Sequence, residues 1–179
     1  CPPLQEIVER FGLETHPEGG AYVRTYASAV EVPESTLPGH KGPRPTATSI
    51  LYLLPAGERS RLHQLRSDEI WHPLLGGPLT LLELHPDGRH TVTTIGHDLA
   101  AGDRLQHVVP AGVWFGSLGP ETGSSEEYSA PNARQPTAPY ALVSCTVTPG
   151  FDFADFTFGN RDRLLAGWPE AAPWIERLI

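Results

Sequence analysis

Apolar and polar residues alternate along much of the chain, which is the pattern of β-strands that bury one face. These segments end at turns rich in glycine and proline and lie at residues 21–26, 46–54, 79–84, 91–95 and 140–147. The turn His85-Pro86-Asp87-Gly88 joins the third segment to the fourth and predicts a hairpin. The pattern therefore predicts an all-β chain.

Helical spacing of apolar residues is found near both ends of the chain. Before Gly12, the apolar residues recur every three or four positions, at Leu4, Ile7, Val8 and Phe11. This spacing predicts a short N-terminal helix over residues 4–11. Residues 161–166 and 169–178 are predicted to form short C-terminal helices, with Pro169 in the first turn of the second. All three helices are expected to pack on the outside of the β-structure.

Two segments have no periodicity and are rich in turn residues. Residues 30–45 contain four prolines and predict a surface loop or a lid. Residues 117–139 are polar and rich in proline. Their length predicts either a lid over the mouth of a pocket or a disordered segment.

The composition limits the classes of partner. A chain of 179 residues suits a single domain over residues 1–179. The net charge is −8 and the basic residues are nearly all scattered arginines, so we expect no nucleic-acid partner. No apolar run approaches the roughly 18 residues of a membrane-spanning helix, so we expect no membrane partner. Two cysteines, Cys1 and Cys145, are too few for a disulfide framework, which favours a cytoplasmic location.

Two ionisable residues stand inside a pattern of glycines. His63 follows Gly57 by six residues, Glu69 follows His63 by six, and Gly76 comes seven residues later. This spacing predicts one strand turning into the next, with the imidazole and the carboxylate aimed at a common centre. The spacing resembles the first sequence motif of the cupins, a superfamily of small β-barrels.

Two positions depart from the cupin pattern. Leu65 stands where the first motif has its second histidine, and Phe115 stands three residues after Gly112, where the second motif has its histidine. Two of the four usual metal-ligand positions are therefore apolar, and the usual site of three histidines and one glutamate cannot form. The resemblance leaves His63 and Glu69 as candidate metal ligands. We expect either no required cofactor or a weakly held divalent metal.

Four further blocks extend the resemblance over nearly the whole chain. They are EGGAYVR from Glu18, SDEIWH from Ser67, VPAGVWFG from Val109 and CTVTPGFDFADF from Cys145. In this order they resemble the cupin-5 family, which is largely of unknown function and similar in architecture to the RmlC-like sugar epimerases. The resemblance implies a double-stranded β-helix, the cupin jelly-roll barrel, over about residues 19–158. It also implies a homodimer and a deep pocket lined by His63, Glu69, Trp71 and Trp114.

Three residues are candidates for catalysis: His63, Glu69 and His72. The first two form an acid-base pair in one interpretation and a structural hydrogen bond between two strands in the other. Alternation places His72 on the opposite side of the strand from Glu69 unless a bulge intervenes. The alternative for His72 is a buried hydrogen bond in the second layer of the barrel.

Six residues are candidates for substrate binding: Tyr22, Arg24, Trp71, Gln106, Trp114 and Phe115. Arg24 is either an exposed charge or, on an inward face, an anchor for a carboxylate or a phosphate. The tryptophans and Phe115 are predicted to form an apolar wall on which a sugar-like molecule stacks.

A histidine beside a glutamate can move a proton next to a carbonyl group, which begins epimerisation, isomerisation, elimination and decarboxylation. We therefore expect an isomerase, epimerase or lyase acting on a small polar molecule in the specialised metabolism of a bacterium. One alternative is a non-catalytic cupin that binds a sugar-like molecule. Another is a metal-dependent oxygenase in which Gln106 or His107 adds a ligand beside His63 and Glu69.

Overall fold

The computed structural model describes residues 1–121 and 138–179 of the chain. The described residues form two large antiparallel sheets and one small two-stranded sheet. Their strands are β1 (Glu14–Thr15), β2 (Ala21–Ala27), β3 (Glu31–Val32), β4 (Arg44–Pro45), β5 (Thr48–Pro55), β6 (Arg59–Gln64), β7 (Asp68–Gly76), β8 (Leu79–Leu84), β9 (His90–Ile95), β10 (His107–Val109), β11 (Trp114–Leu118), β12 (Tyr140–Thr148) and β13 (Thr157–Phe158).

From β5 onward the strands alternate between the two large sheets, except that β8 and β9 are neighbours in the same sheet. One sheet has the order β1-β2-β5-β12-β7-β10, and the other has the order β13-β6-β11-β8-β9. The chain therefore crosses between the sheets at most of its turns, for example from β5 to β6 and from β6 to β7. This is the jelly roll that the sequence predicted, and the prediction of the fold class is confirmed.

The main core lies between the two sheets. Inward-facing side chains of both sheets are almost fully buried there, including Tyr52, Leu54, Trp71, Leu79, Leu81, Phe115, Val143 and Cys145. Burying one large apolar side chain of this kind contributes about 1.5–3 kcal/mol relative to leaving it in water. Because successive side chains of a strand point to opposite faces, every second side chain points into the barrel interior and packs in this core.

Short helices cover the outside of the sheets, as predicted. Helix α1 (Leu4–Phe11) buries Ile7 and ends at Gly12, which adopts the left-handed conformation. Helices α2 (Arg161–Gly167) and α3 (Ala172–Leu178) pack over the outer face of β6 and β8. The predicted second C-terminal helix begins with a tighter 3-10 turn at Pro169–Ala171.

The two predicted loops have different outcomes. Residues 30–45 contain the small hairpin of β3 and β4, which is anchored by a buried ion pair. In this pair Arg44 Nε donates to Asp155 Oδ2 over 2.8 Å. Residues 122–137 of the second loop lie outside the described residues.

Among the described helices, none has both the length and the apolar character needed to cross a membrane.

Candidate active site

A narrow cavity opens between the two sheets. Its polar lining comes from both sheets and from the turn before β2, and consists of His16, Glu18, Tyr22, Arg24, Thr48, His63 and Glu69. Phe151, Phe153 and Phe156 form an aromatic side of the cavity on the segment after β12. The free space is about 40 Å³, which is room for roughly three water-sized groups. The cavity as it stands therefore admits the end of a small molecule.

Glu18 enters the cavity from the turn between β1 and β2. Gly19 has a φ of +117°, and a Cβ atom there would collide with the carbonyl oxygen of Arg59. Only glycine lets the turn lie this close to β6. The backbone N–H of Arg61 donates to the Glu18 carbonyl oxygen over 2.8 Å and holds the turn in place. As a result, the Glu18 side chain points inward and only 6% of the residue is exposed.

The imidazole of His63 has one nitrogen committed to the backbone. Its Nδ1 lies 2.7 Å from the carbonyl oxygen of Arg61. Because a carbonyl oxygen only accepts hydrogen bonds, Nδ1 carries a proton, and Nε2 has a free lone pair when the ring is neutral. Nε2 lies 3.3 Å from Oε2 of Glu18. The basic side of the ring therefore faces a carboxyl group.

Two phenylalanine rings fix the plane of this imidazole. The ring of Phe156 lies parallel to it within 16°, with the centroids 4.9 Å apart. The ring of Phe115 lies 4.1 Å away on another side. Since Phe115 is directly opposite His63 in the pairing of β11 with β6, the contact follows from the sheet register. Aromatic packing thus fixes the position of this histidine, as coordination of a metal ion does in a metal site.

Burial controls the protonation of the His63–Glu18 pair. It lowers the pKa of His63 to about 4, and the hydrogen bond to the Arg61 carbonyl opposes this shift only in part. Burial also raises the pKa of Glu18, against the opposing effects of His16 and the Ser60 hydroxyl. Both shifts disfavour charge. At neutral pH the imidazole of His63 is therefore neutral, and burial makes the ionised form of Glu18 less favourable than it is in water.

His16 completes this cluster on the far side of Glu18. Its Nδ1 accepts a hydrogen bond from the backbone N–H of Glu18 over 3.3 Å and lies 3.6 Å from Oε2 of the same residue. Burial lowers the pKa of His16, and the Glu18 charge partly opposes the change. The Tyr22 ring packs edge-on against His16, with the centroids 4.6 Å apart. His16 is thus a neutral neighbour of the carboxyl and is held to the backbone of the same residue.

Glu69 is a second buried carboxyl in the same cavity. It lies on β7, opposite Val147 of β12. Burial, and then the charge of Glu18, raise the pKa of Glu69 to about 8. Glu69 is therefore mostly protonated at neutral pH and can donate a hydrogen bond. The neighbouring Cys145 thiol has a pKa far above its ordinary value because of burial and then the Glu69 charge, so it stays protonated.

The structure brings four of the predicted site residues to the cavity: Tyr22, Arg24, His63 and Glu69. Arg24 is exposed, so it lies at the mouth of the cavity and not deep inside it. The carboxyl nearest to the free nitrogen of His63 belongs to Glu18, whereas the sequence interpretation paired His63 with Glu69. Glu69 remains a second carboxyl group on the same cavity.

The other five predicted site residues do not line the cavity. Trp71 and Phe115 lie behind it in the core, where their ring centroids are 6.3 Å apart. Trp114 faces the opposite way from Phe115 and packs with the C-terminal helices. His72 faces away from Trp71 for the same reason, and its Nε2 lies 2.7 Å from Nε2 of Gln106, outside the cavity.

The donor set around His63 does not fit a metal ion. Within residues 1–121 and 138–179, the structure contains no group of three His, Cys, Asp or Glu side chains that could hold one. Leu65 and Phe115 occupy the two positions where the cupin motifs have histidines. His107 binds Glu83, with 2.7 Å between Nε2 and Oε2, and is not placed beside Glu69.

The sequence interpretation missed Glu18 and His16 as site residues. Glu18 belongs to the EGG block, and the two glycines after it were the available signal. An acidic residue before two adjacent glycines is compatible with a turn that presses against another strand. The inward direction of the Glu18 side chain depends on contacts with β6, which is distant in the sequence.

Comparison with known proteins agrees with the fold of the chain. The Cupin_5 family model, described as Cupin superfamily (DUF985), matches residues 5–159. The uncharacterized protein YML079W of Saccharomyces cerevisiae is 32% identical over 166 residues, which cover 88% of this chain and 76% of that protein.

Two solved structures are similar over almost their full lengths. A hypothetical protein from Leishmania major has a TM-score of 0.82 at 30% identity, with 99% of this chain and 98% of that chain covered. Protein SO0799 from Shewanella oneidensis has a TM-score of 0.79 at 34% identity, with the same coverage of both chains. Together with the family match, these similarities show that the chain belongs to the Cupin_5 family of the cupin superfamily.

Proposed function

We propose that the protein is an isomerase, epimerase or lyase that moves a proton next to a carbonyl group of a small polar molecule. One observation carries the proposal: two buried groups that line the same cavity have opposite protonation at neutral pH. His63, with a pKa of about 4, is a neutral base, and Glu69, with a pKa of about 8, is a neutral acid. Environments that push two pKa values apart in this way are typical of acid-base enzymes.

In the proposed first step, Nε2 of His63 takes a proton from the carbon next to the carbonyl group. The electron pair of the broken C–H bond forms a carbon-carbon double bond, and the carbonyl electrons move to oxygen. That oxygen takes the proton of Glu69. The products are an enol, an imidazolium and a carboxylate, so the total charge of the cavity is unchanged.

Glu18 has a supporting role in this scheme. Its Oε2 lies 3.3 Å from Nε2 of His63, so it stabilises the positive charge that the imidazole acquires. Return of the proton to the other face of the same carbon gives an epimer, and return to the neighbouring carbon gives an isomer. Expulsion of a leaving group from the enol gives an elimination product.

The cavity also limits the substrate. Its free space accepts only a few atoms, so the reacting end enters while the rest of the molecule stays near the mouth. Arg24 at the mouth is placed to bind an anionic group of that remainder. Phe151 and Phe156 offer an apolar surface beside the reacting carbon. These features favour a short hydroxycarbonyl or keto acid.

The test is exchange of carbon-bound hydrogen in D₂O, followed by proton NMR over a panel of 2-hydroxy aldehydes, 2-hydroxy ketones and 2-keto acids. We expect exchange with wild type and a loss of at least about 100-fold in His63→Asn and in Glu69→Gln. His97→Asn, at an exposed turn, is the matched control and should exchange normally. Equal rates in wild type and His63→Asn, or no exchange with any compound, would contradict the proposal.

A non-catalytic binding protein is the second candidate, and the aromatic lining favours it. Phe151, Phe153 and Phe156 form a contiguous group of rings, with centroids 4.9 to 6.4 Å apart. Such a surface suits stacking of a sugar-like molecule. In this alternative, Glu69→Gln weakens binding of a co-purified ligand, and no compound in the panel exchanges hydrogen.

A further inference from the structure

A second, wider cavity lies on the outside of the barrel, behind Glu18. It has a volume of about 590 Å³ and is lined by three arginines, Arg59, Arg61 and Arg177. His16 and Glu18 line it as well, so the turn that carries them separates this outer groove from the inner cavity. We name this cavity the arginine groove.

The sheet and the last helix bring the three guanidinium groups together. Arg59 and Arg61 are exposed on either side of the buried Ser60 on β6. The pairing of β6 with β11 shifts its register between Ser60 and His63, so His63 faces inward although it follows Arg61 by only two residues. Alternate residues of a strand are separated by about 7 Å. Arg177 comes from α3, which packs beside β6. Residues far apart in the sequence thus present their charges to one groove.

Two of these side chains are held by aromatic rings. The guanidinium carbon of Arg61 lies 4.6 Å from the centroid of the Phe158 ring, and that of Arg177 lies 5.3 Å from the Trp174 ring. Stacking on a ring leaves the N–H groups at the edge of the guanidinium available for hydrogen bonds. The two groups are therefore partly ordered before any ligand arrives.

The charge of the groove is not balanced within the part of the chain that the structure describes. The ion pairs found there involve other arginines, namely Arg44, Arg89 and Arg161, and none includes the three groove arginines. Glu58 is the exposed carboxylate on the lining, and Glu18 is buried. A protein with a net charge of −8 repels anions over most of its surface, so this groove is a local exception.

We propose that the arginine groove binds a small molecule that carries a phosphate or pyrophosphate group. Three guanidinium groups supply more N–H donors than one planar carboxylate can accept. A phosphate group matches them better because it has three terminal oxygens and up to two negative charges. The groove is large enough to hold such a molecule entirely outside the inner cavity. This proposal does not depend on the reaction assigned to His63 and Glu69.

The test is calorimetric titration of the full chain with sodium pyrophosphate at low ionic strength. We expect saturable binding by wild type. Arg59→Gln and Arg177→Gln should each weaken it at least about tenfold, as expected for loss of a hydrogen bond to a charged group. Arg89→Gln removes the same charge from an exposed turn outside the groove and should change the affinity less than about twofold.

Three results would overturn the proposal. If wild type shows no saturable binding of pyrophosphate, the groove is not a binding site. If Arg89→Gln loses as much affinity for pyrophosphate as the groove variants do, the anion is attracted to positive charge in general and not to the groove. Malonate, a dicarboxylate, is expected to bind at least about tenfold more weakly than pyrophosphate, and equal affinity would overturn the preference for phosphate. All three substitutions are at exposed positions, and a thermal melt of each variant checks that it is folded.

Discussion

The Nε2 atom of His63 lies 3.3 Å from Oε2 of Glu18, although Glu18 is on a turn next to one sheet, His63 is on a strand of the other, and the two are far apart in the sequence. The contact joins a base on β6 to a carboxyl on the turn before β2. Burial disfavours the charge of both groups, and it keeps the imidazole of His63 neutral at neutral pH. The protonation states of the side chains that line this cavity therefore depend on the tertiary fold.

The first prediction concerns stability at neutral to mildly alkaline pH. Between its ordinary pKa and about 8, Glu69 is protonated in the folded protein and ionised in the unfolded chain. The folded state binds more protons in this range, so its stability falls as pH rises. From pH 6.5 to 8 the loss due to Glu69 is about 2 kcal/mol. Urea denaturation of wild type and Glu69→Gln at several pH values measures it.

His63 contributes to stability with the opposite sign in a different pH range. Its pKa of about 4 in the folded protein lies below the ordinary value, so stability from this group is lost as pH falls between about 6.5 and 4. Above pH 6.5 the difference between wild type and Glu69→Gln therefore reports Glu69. Identical pH dependence of the two proteins in that range would show that Glu69 is not protonated in the folded state.

The second prediction concerns the turn that places Glu18. In Gly19→Ala, the new methyl group collides with the Arg59 carbonyl, so the turn must move away from β6. We expect a loss of about 3 kcal/mol or more of stability, because strain at positive φ is added to the collision. We also expect the pKa of His63 to rise toward its ordinary value as water enters. Urea denaturation and NMR titration of the histidines measure the two effects.

Gly12→Ala is the matched control for this substitution. Gly12 also has a positive φ, of +64°, but a Cβ atom there would meet no neighbouring atom within 4 Å. This change should cost about 1 kcal/mol and leave the titration of His63 unaltered. Equal effects of the two substitutions would mean that the close approach to β6 is unimportant.

The third prediction concerns the anchor of the β3–β4 hairpin. Arg44 and Asp155 form an ion pair with both side chains almost fully buried. Removing one partner of a buried pair leaves an uncompensated charge, so Arg44→Ala should reduce stability by about 3 kcal/mol. Arg89→Ala, which breaks the exposed pair with Asp87, should have little effect. Thermal melts that show equal losses for both variants would refute this interpretation.

The fourth prediction concerns the two cysteines. Cys1 is exposed and Cys145 is buried, with a raised pKa, so only Cys1 should react quickly with a thiol reagent at pH 7.5. Wild type should therefore show one fast thiol per chain, and a second after unfolding in guanidinium chloride. Cys1→Ser should have no fast thiol. Rapid labelling of folded Cys1→Ser would show that reagent reaches Cys145 through the cavity.

Sequence patterns predicted the elements of the fold because these depend on nearby residues. The helix at Leu4–Phe11 and the strand at Leu79–Leu84 have the bounds predicted from apolar spacing. The arrangement of the strands as a jelly roll came from the resemblance of the His63 and Glu69 spacing to the cupin motif. Alternation alone does not specify which strands become neighbours.

The site was predicted only in part, for two physical reasons. Trp114 was predicted to line the pocket, and His72 was a candidate for catalysis that required a bulge to face inward. Each occupies the outward position of its strand next to an inward aromatic residue, Phe115 or Trp71. Alternation was sufficient to predict this direction for His72. Glu18 could not be assigned in this way, because its direction results from packing of a turn against a distant strand.

The turn that bears Glu18 separates a narrow chamber on one side from an arginine-lined recess on the other, and His16 and Glu18 line both. A negative charge placed in the recess makes ionisation of Glu18 less favourable, and by reciprocity a protonated Glu18 makes the recess more receptive to that charge. Binding of an anion in the arginine groove and the pKa of Glu18 are consequently linked through one side chain, and the barrel does not have to change shape.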